Sequence, residues 1–301
     1  MIYTLTLNPA LDHIIRLNSL DIGETNRANN EILKAGGKGI NVSKLLKNLE
    51  EDSITLGFIA GFTGFELERL VKEDFNVESN FIHVENGFTR INVKIKSSQE
   101  TEINGNGPII KQIDKERLFE KLEKLNDGDY LFMSGSIPNS LEENFYGQIM
   151  QRLQSKNISF IVDTSGQSLI ESLPYNPFLI KPNLRELEGI FNTKINDEED
   201  LKKYAKKTQE LGAKNIIISL GADGAYFSGE DGKEYFLSAP KGELVDSVGS
   251  GDSMLAGFVY SIIHGNSYED AFKFAVACGS ATAFSENIAS RKEIFNLYQT
   301  L

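Results

Sequence analysis

The sequence predicts an α/β protein built around a mainly parallel β-sheet, and two observations support this fold class. Short β-branched segments alternate with longer amphipathic segments along the chain, as is typical of βαβ units. The chain has 301 residues, of which 40% are hydrophobic and 25% charged. This length is enough for one large α/β domain, and the composition is ordinary for a globular enzyme.

The strands and helices follow in chain order. The first seven residues alternate like a strand, and further strands are predicted at 55–60, 81–84, 130–133, 160–162, 179–181 and 215–219. Amphipathic periodicity predicts helices between them at 65–75, 115–125, 142–153 and 201–211. No internal repeat or Pro-rich linker divides the chain, so we expect a single domain over residues 1–301.

Two segments, about 12–34 and 89–104, break this alternation. In the second, Ile91, Val93 and Ile95 face one way, whereas Asn92 and Lys94 face the other. This pattern predicts a β-hairpin with one wet face. Such strands suit a small sheet that projects from the main domain and covers a site or pairs with a partner. An ordinary surface hairpin is the alternative.

A Gly-rich loop runs into an apolar, helix-like segment near the C-terminus, with the sequence Asp-Ser-Val-Gly-Ser-Gly-Asp at 246–252. Backbone N–H groups at a helix N-terminus form an anion site, and Gly249, Ser250 and Gly251 let an anion approach the main chain. Asp252 stands beside them as a carboxylate able to accept a hydroxyl proton. The loop therefore predicts phosphoryl transfer to a hydroxyl, although a flexible connection with an Asp cap would look similar.

A second Gly-rich segment, Gly-Gly-Lys-Gly-Ile-Asn at 36–41, opens another helix-like run. Lys38 supplies a point charge for an anion, and Asn41 supplies a neutral hydrogen-bonding group on the first helical turn. Two such sites predict a phosphorylated acceptor and a nucleotide, one at each segment.

Further polar groups follow the predicted strands. Ligands of open α/β sheets bind beyond the carboxyl ends of the strands. The groups found there are Asp12, Ser136, Lys181, Asn183, Glu186, Ser219, Gly221 and Gly224. Each could be only a turn residue, but their recurrence at the same end of successive strands indicates a binding site.

Several functions are disfavoured. The net charge of -12, from 31 Lys and Arg against 43 Asp and Glu, argues against nucleic acid and anionic membranes as partners. Cys278 is the only cysteine, which fits a cytoplasmic protein, and the three histidines lack metal-ligand spacing. The N-terminus does not resemble a signal peptide. Gly39 after Lys38 departs from a Walker loop, and Met254 replaces the third glycine of a dinucleotide fingerprint.

The two Gly-rich segments, in this order and separation, resemble the signatures of the phosphofructokinase B branch of the ribokinase-like sugar kinases. The resemblance covers essentially the whole chain. It implies a three-layer α/β/α fold with a β-sheet lid, which segments 12–34 and 89–104 would supply. It also implies ATP and Mg²⁺ as cofactors and a homodimer formed through the lids.

The resemblance assigns roles by position. It makes Asp252 the catalytic base and the N–H groups of Gly249, Ser250 and Gly251 the anion hole. The residues expected at the acceptor are Asp12, Arg27, Gly37, Lys38, Asn41, Arg90 and Ser136. Those expected at the nucleotide are Lys181, Asn183, Glu186, Ser219, Gly221, Gly224 and Gly279, with Ala277 and Ser280 near the adenine. Glu186 would organise Mg²⁺, held mainly through ATP and by no direct protein ligand.

Within the branch, segments 89–94, 99–104 and 276–284 look most similar to the bacterial 1-phosphofructokinase group. This similarity implies phosphorylation of D-fructose 1-phosphate at its C6 hydroxyl, with Lys38, Arg90 and Arg27 holding the existing phosphate at the far end of the furanose. Tagatose-6-phosphate kinases share the Gly-rich motifs, so a tagatose-6-phosphate or fructose-6-phosphate kinase stays open. From another class, a non-catalytic sugar-phosphate sensor on the same fold is the alternative.

Overall fold

A ten-stranded β-sheet runs through the centre of the computed structural model, which describes residues 1–301. The chain forms fourteen strands: β1 Ile2–Thr6, β2 Ala10–Arg16, β3 Asn30–Gly36, β4 Ile54–Ala60, β5 Glu78–Ser79, β6 Ile82–Val84, β7 Arg90–Lys96, β8 Glu100–Asn104, β9 Tyr130–Ser134, β10 Ser159–Asp163, β11 Leu179–Ile180, β12 Asn215–Ser219, β13 Ala225–Ser228 and β14 Glu234–Leu237. The central strands lie in the order β14-β13-β12-β11-β10-β9-β1-β4-β5, with β6 also paired to β4. Only the β12–β13 and β13–β14 pairings are antiparallel, so the prediction of a mainly parallel sheet is confirmed.

Helices cover both faces of this sheet. They are α1 Lys38–Asn48, α2 Gly61–Arg69, α3 Gln112–Leu122, α4 Phe145–Arg152, α5 Gln167–Ile170, α6 Leu184–Phe191, α7 Glu198–Glu210, α8 Ser250–Ile263, α9 Tyr268–Ala283 and α10 Arg291–Tyr298. A wider helical turn, Leu70–Asp74, continues α2, so the helix predicted at 65–75 is present as two joined segments. No helix is both long and apolar enough to cross a membrane.

Alternate residues of the central strands pack into separate apolar clusters. In β12, Ile216 and Ile218 join the cluster that α3, α4, α6 and α7 cover, whereas Ile217 joins the cluster beneath α1, α8, α9 and α10. Period-two burial on both faces is what a sheet sandwiched by helices requires. The result is the three-layer α/β/α arrangement of the ribokinase-like fold.

A second, four-stranded sheet is built from the two segments that broke the sequence pattern, in the order β3-β2-β7-β8. Here β2 pairs in parallel with β7, while β7 and β8 form an antiparallel hairpin, as the alternation predicts. We call these four strands the lid sheet. That it acts as a lid on one domain spanning the chain stays a prediction.

The prediction that Asn92 and Lys94 lie on a solvent-exposed face of the hairpin is wrong. Asn92 and Lys94 are each only 8% exposed. Their side of β7 faces Asp12 on the neighbouring strand and lines an internal cavity. Polar side chains directed into a cleft alternate with apolar ones just as they would if they faced bulk water, so the pattern alone could not separate the two cases.

Candidate active site

Two cavities meet at the loop that begins α8. The first, of about 520 Å³, lies between the lid sheet and the carboxyl ends of the central strands, and we call it the acceptor cavity. It is lined by Thr6, Asn8, Asp12, Gly37, Lys38, Asn41, Arg90, Asn92, Lys94, Gly135, Ser136, Asp163, Thr164, Ser165, Lys181, Val248, Gly249, Gly251 and Asp252. The second, of about 640 Å³, we call the nucleotide cavity. Gly251 lines both, so a group bound in one can reach the other at this residue.

The start of α8 has the geometry of an anion site. Gly249 precedes the helix with φ +79°, a left-handed conformation that favours glycine. A Cβ on Gly249 would lie 2.5 Å from Cδ1 of Ile288, so a side chain there would require that methyl group to shift. The N–H of Ser250 already donates to the carbonyl of Ser247 at 3.2 Å, whereas those of Gly249 and Gly251 have no protein acceptor. Two of the three predicted donors are therefore free for a ligand.

Asn41 connects the two Gly-rich segments. It lies in the first turn of α1, which begins after Gly37 at φ +137°. Its Nδ2 donates a hydrogen bond of 2.8 Å to Oδ2 of Asp252 in the first turn of α8. Sequence reasoning expected Asn41 to contact the acceptor. It does line the acceptor cavity, and it also holds the candidate base.

A group missed by the sequence analysis, Asp163, lies beside that base. It ends β10 and is fully buried between two ammonium groups, Lys38 Nζ at 3.1 Å and Lys181 Nζ at 3.7 Å. Burial alone would raise the pKa of Asp163, but the charges of Lys181 and Lys38 outweigh it and hold the pKa below its usual value. Asp163 directly follows the strand predicted at 160–162, so the rule that drew attention to other strand ends applied to it as well.

Asp252 has the electrostatics of a base poised near neutral pH. Asp252 is buried, with only 5% of its surface exposed. Burial, followed by repulsion from Asp163, raises the pKa of Asp252 to about 6, against the opposing effects of Lys38 and the Asn41 hydrogen bond. A carboxylate with a pKa just below the working pH is ionised and still basic enough to accept a proton.

At the opposite end of the acceptor cavity, the lid sheet presents a second charged group. Asp12 accepts a hydrogen bond of 3.0 Å from Asn92 Nδ2 and forms an ion pair of 3.1 Å with Lys94 Nζ. Arg90 donates from Nε to the carbonyl of Asn8 at 3.1 Å. Asn92 and Lys94 were not among the predicted site residues, because their face of β7 was interpreted as solvent-exposed.

The structure changes the expected position of two cations. Lys38 was expected to hold the acceptor phosphate together with Arg90, but its ammonium group contacts Asp163 beside Asp252. Burial would lower the pKa of Lys38, but Asp163 and Asp252 outweigh this effect and raise it, so the ammonium stays charged. Arg27 lies exposed in the loop between β2 and β3 and does not line the acceptor cavity of its own chain. The remaining predicted acceptor residues, Asp12, Gly37, Asn41, Arg90 and Ser136, do line it.

The nucleotide cavity collects most of the residues predicted for it. Its lining includes Asn183, Ser219, Gly221, Gly224, Ser250, Gly279 and Ser280. Ala277, also expected near the adenine, is fully buried and lies outside the lining, although Val276 beside it does line the cavity. An apolar wall that the sequence did not predict is formed by Ala239, Pro240, Leu244, Met254, Val276 and Phe284. Such a wall suits a flat aromatic base.

Asn183 and Glu186 lock each other at the start of α6. Asn183 Oδ1 accepts the N–H of Glu186, and Glu186 Oε2 accepts the N–H of Asn183, both at 2.9 Å. One oxygen of Glu186 is left for other partners. No group of three or more His, Cys, Asp or Glu side chains is arranged to hold a metal ion. Mg²⁺ commonly takes one or two carboxylates and completes its shell with phosphate oxygens and water, and this donor set fits that mode.

Comparisons with known proteins agree with this geometry. The family model described as pfkB family carbohydrate kinase matches residues 5–293. The chain is 43% identical over 298 residues to a 1-phosphofructokinase of Bacillus subtilis, covering 99% of this chain and 97% of the relative. It is 36% identical over 291 residues to a tagatose-6-phosphate kinase of Staphylococcus epidermidis, covering 95% and 93%. The structure of phosphofructokinase-2 from Escherichia coli in complex with substrates and products superposes with a TM-score of 0.94 at 27% identity, covering 100% and 99%.

Proposed function

Because this chain belongs to the pfkB family of carbohydrate kinases and is an ATP-dependent sugar-phosphate kinase, we propose that its acceptor is D-fructose 1-phosphate. The reaction transfers the γ-phosphoryl group of ATP to the C6 hydroxyl and gives fructose 1,6-bisphosphate. One observation carries the reaction type. The acceptor and nucleotide cavities share Gly251, and Asp252 stands in the next position on the acceptor side.

Asp252 acts as the general base. The C6 oxygen attacks the γ-phosphorus, the bond to the β-γ bridging oxygen breaks, and the hydroxyl proton passes to a carboxylate oxygen of Asp252. The hydrogen bond from Asn41 fixes one of those oxygens, so the base does not have to be oriented when the acceptor arrives.

Positive charge at the base end stabilises the group in transfer. The free N–H groups of Gly249 and Gly251 face the junction, and Lys38 and Lys181 flank it. Donors fixed in a water-poor site stabilise developing phosphoryl charge strongly. Mg²⁺ carried by ATP would neutralise phosphate oxygens, with Glu186 organising its shell.

The rival function is a tagatose-6-phosphate or fructose-6-phosphate kinase, favoured by the similarity to the Staphylococcus epidermidis enzyme. A ketohexofuranose carries a CH₂O group at both C1 and C6, so one pocket could bind it in either direction. Fructose and tagatose differ only at C4. The preference for fructose 1-phosphate rests on the higher identity to the 1-phosphofructokinase of Bacillus subtilis, 43% against 36% for the tagatose-6-phosphate kinase.

Initial rates with Mg-ATP test the substrate. Fructose 1-phosphate, fructose 6-phosphate, tagatose 6-phosphate and free fructose are compared at equal concentration. The proposal expects the highest kcat/KM for fructose 1-phosphate. A preference for a 6-phosphate would replace the substrate and keep the mechanism. Binding without turnover of any acceptor would favour a sugar-phosphate sensor.

We also propose that the lid sheet forms a homodimer interface. Leu33, His13, Val93 and Ile103 lie in register across the four strands and share the face turned away from the acceptor cavity. Leu33 is 42% exposed and Ile103 is 60% exposed. An apolar sheet face left in water is a common mark of an interface. Arg27, in the loop joining β2 to β3, would then lie near the second copy.

A further inference from the structure

The two ends of the acceptor cavity differ in how their cations are paired. At the base end, two carboxylates, Asp163 and Asp252, face two ammonium groups, Lys38 and Lys181. At the lid end, the carboxylates of Asp12 and Glu102 lie 3.1 Å and 4.0 Å from Lys94 Nζ, whereas Arg90 has no carboxylate within that distance. The guanidinium of Arg90 is therefore the lid cation that no carboxylate contacts.

Arg90 is a partly buried guanidinium without a carboxylate within 4.0 Å. Its Nε is occupied by the Asn8 carbonyl, and its two terminal nitrogens donate to no protein acceptor. Burial lowers the pKa of Arg90, and Asp12 only partly offsets that effect. A buried guanidinium with unused donors costs free energy unless an anion binds it, and its fork matches phosphate geometry.

Lys94 lies on the same side of the lid sheet and is 8% exposed. Lysines are almost never buried to this extent unless they are paired. Its one close partner is Oδ2 of Asp12 at 3.1 Å, and Glu102 is at 4.0 Å. An ammonium group has three N–H donors, so donors remain beyond the one given to Asp12. Asp12 also accepts from Asn92, which fixes the carboxylate that in turn holds Lys94.

We propose that Lys94 and Arg90 together bind the phosphate that the acceptor already carries, and that Lys38 instead serves the phosphoryl group in transfer. This inference rests on the proposed function, since it requires a phosphorylated acceptor, and it deepens that function by naming the anion subsite. Lys94 acts as a specificity residue: it separates sugar phosphates from free sugars. The acceptor then spans the cavity, with its phosphate at the lid and its free CH₂OH at Asp252.

Lys94→Met tests this directly, because it removes the charge and keeps most of the side-chain volume. We expect kcat/KM for fructose 1-phosphate to fall about 10- to 100-fold, mainly through KM, since a charge-assisted hydrogen bond is lost. The kcat/KM for free fructose should change far less, so the ratio of kcat/KM for fructose 1-phosphate to that for fructose should fall. Inorganic phosphate, as a competitive inhibitor against the sugar phosphate, should lose affinity in the same variant. Lys94→Arg should restore much of the ratio.

Lys96→Met is the matched control. Lys96 is two residues further along β7, on the same face, but it pairs with Asp246 at 2.9 Å and does not line the acceptor cavity. Any loss in this variant should affect both acceptors equally and leave phosphate inhibition unchanged.

The outcomes separate the two claims. If Lys94→Met lowers kcat/KM for fructose 1-phosphate and fructose by the same factor and leaves phosphate inhibition intact, Lys94 is structural and the subsite is wrong. If the unmodified enzyme prefers another sugar phosphate, the proposed substrate fails. The subsite is then judged with that acceptor and its free sugar. If the unmodified enzyme prefers free sugars, both proposals fail, and that result appears before any variant is made.

Discussion

Asn41 Nδ2 donates a 2.8 Å hydrogen bond to Oδ2 of Asp252, joining two residues that are 211 positions apart in the sequence. Each lies in the first turn of a helix that follows a Gly-rich segment. The contact holds the candidate base between the acceptor cavity and the loop shared with the nucleotide cavity.

Asn41→Ala should lower kcat about 10- to 100-fold with a smaller change in KM, because the base loses its fixed orientation. The hydrogen bond from Asn41 lowers the pKa of Asp252, so its removal should also move the acidic limb of the kcat/KM profile to higher pH. Asn48→Ala is the control. Asn48 lies on the same helix but donates to the carbonyls of Ile288 and Ala289, and its loss should leave the pH profile unchanged.

The pH dependence of kcat/KM should report Asp252 in the free enzyme. With its pKa raised to about 6, the base is protonated below that pH, and kcat/KM should fall about tenfold per pH unit there. Above about pH 7, where Asp252 is ionised, its titration should no longer change kcat/KM. A profile that stays level from pH 7 down to pH 4.5 would contradict the assignment.

Asp163→Asn should move the acidic limb of the kcat/KM profile to lower pH. Repulsion from Asp163 raises the pKa of Asp252, so removing it lowers that pKa. The freed charges of Lys38 and Lys181 lower it further. The variant should also lose kcat, because Lys38 no longer has its 3.1 Å partner. Initial rates measured from pH 4.5 to 8 give both the pKa of Asp252 and kcat. An unchanged acidic limb would show that the two carboxylates do not interact.

Replacing Asp252 by Asn should stabilise the fold at neutral pH. A carboxyl whose folded pKa lies above its unfolded value destabilises the native state once pH exceeds both, and this effect disappears as pH falls below the unfolded value. For a rise from 3.8 to about 6, the gain is on the order of 1–3 kcal/mol above pH 7, and most of it is lost by pH 4. Chemical denaturation at both pH values measures it, with Glu120→Gln, an exposed site on α3, as the neutral control.

The lid dimer predicts that a charge on its apolar face dissociates the protein. Ile103→Glu introduces a carboxylate at a position that is 60% exposed, so the fold of one chain should tolerate it. Light scattering should then report half the mass of the unmodified protein. Leu211→Glu, at the end of α7 and away from the lid sheet, should leave the mass unchanged. An unmodified protein that is monomeric at working concentration would remove the proposal.

Local patterns in the sequence were sufficient to predict the sheet and the two Gly-rich helix starts. Together with the family resemblance they predicted about half of the residues that line the two cavities. Contacts between distant segments were not predictable in the same way. The family resemblance implies that Lys38 and Arg90 both hold the acceptor phosphate, yet the side chain of Lys38 contacts Asp163. Lys94 alternates with apolar neighbours, and only the parallel pairing of β2 with β7 shows that it faces Asp12.

The central claim is that Asp252 promotes phosphorylation of fructose 1-phosphate by ATP, and initial rates for the unmodified enzyme and for Asp252→Asn test it most directly. We expect kcat/KM for fructose 1-phosphate to exceed those for fructose 6-phosphate, tagatose 6-phosphate and fructose, and kcat to fall by about 10²- to 10⁴-fold in the variant. A higher value for another acceptor would contradict the substrate. A variant that keeps full kcat would contradict the base.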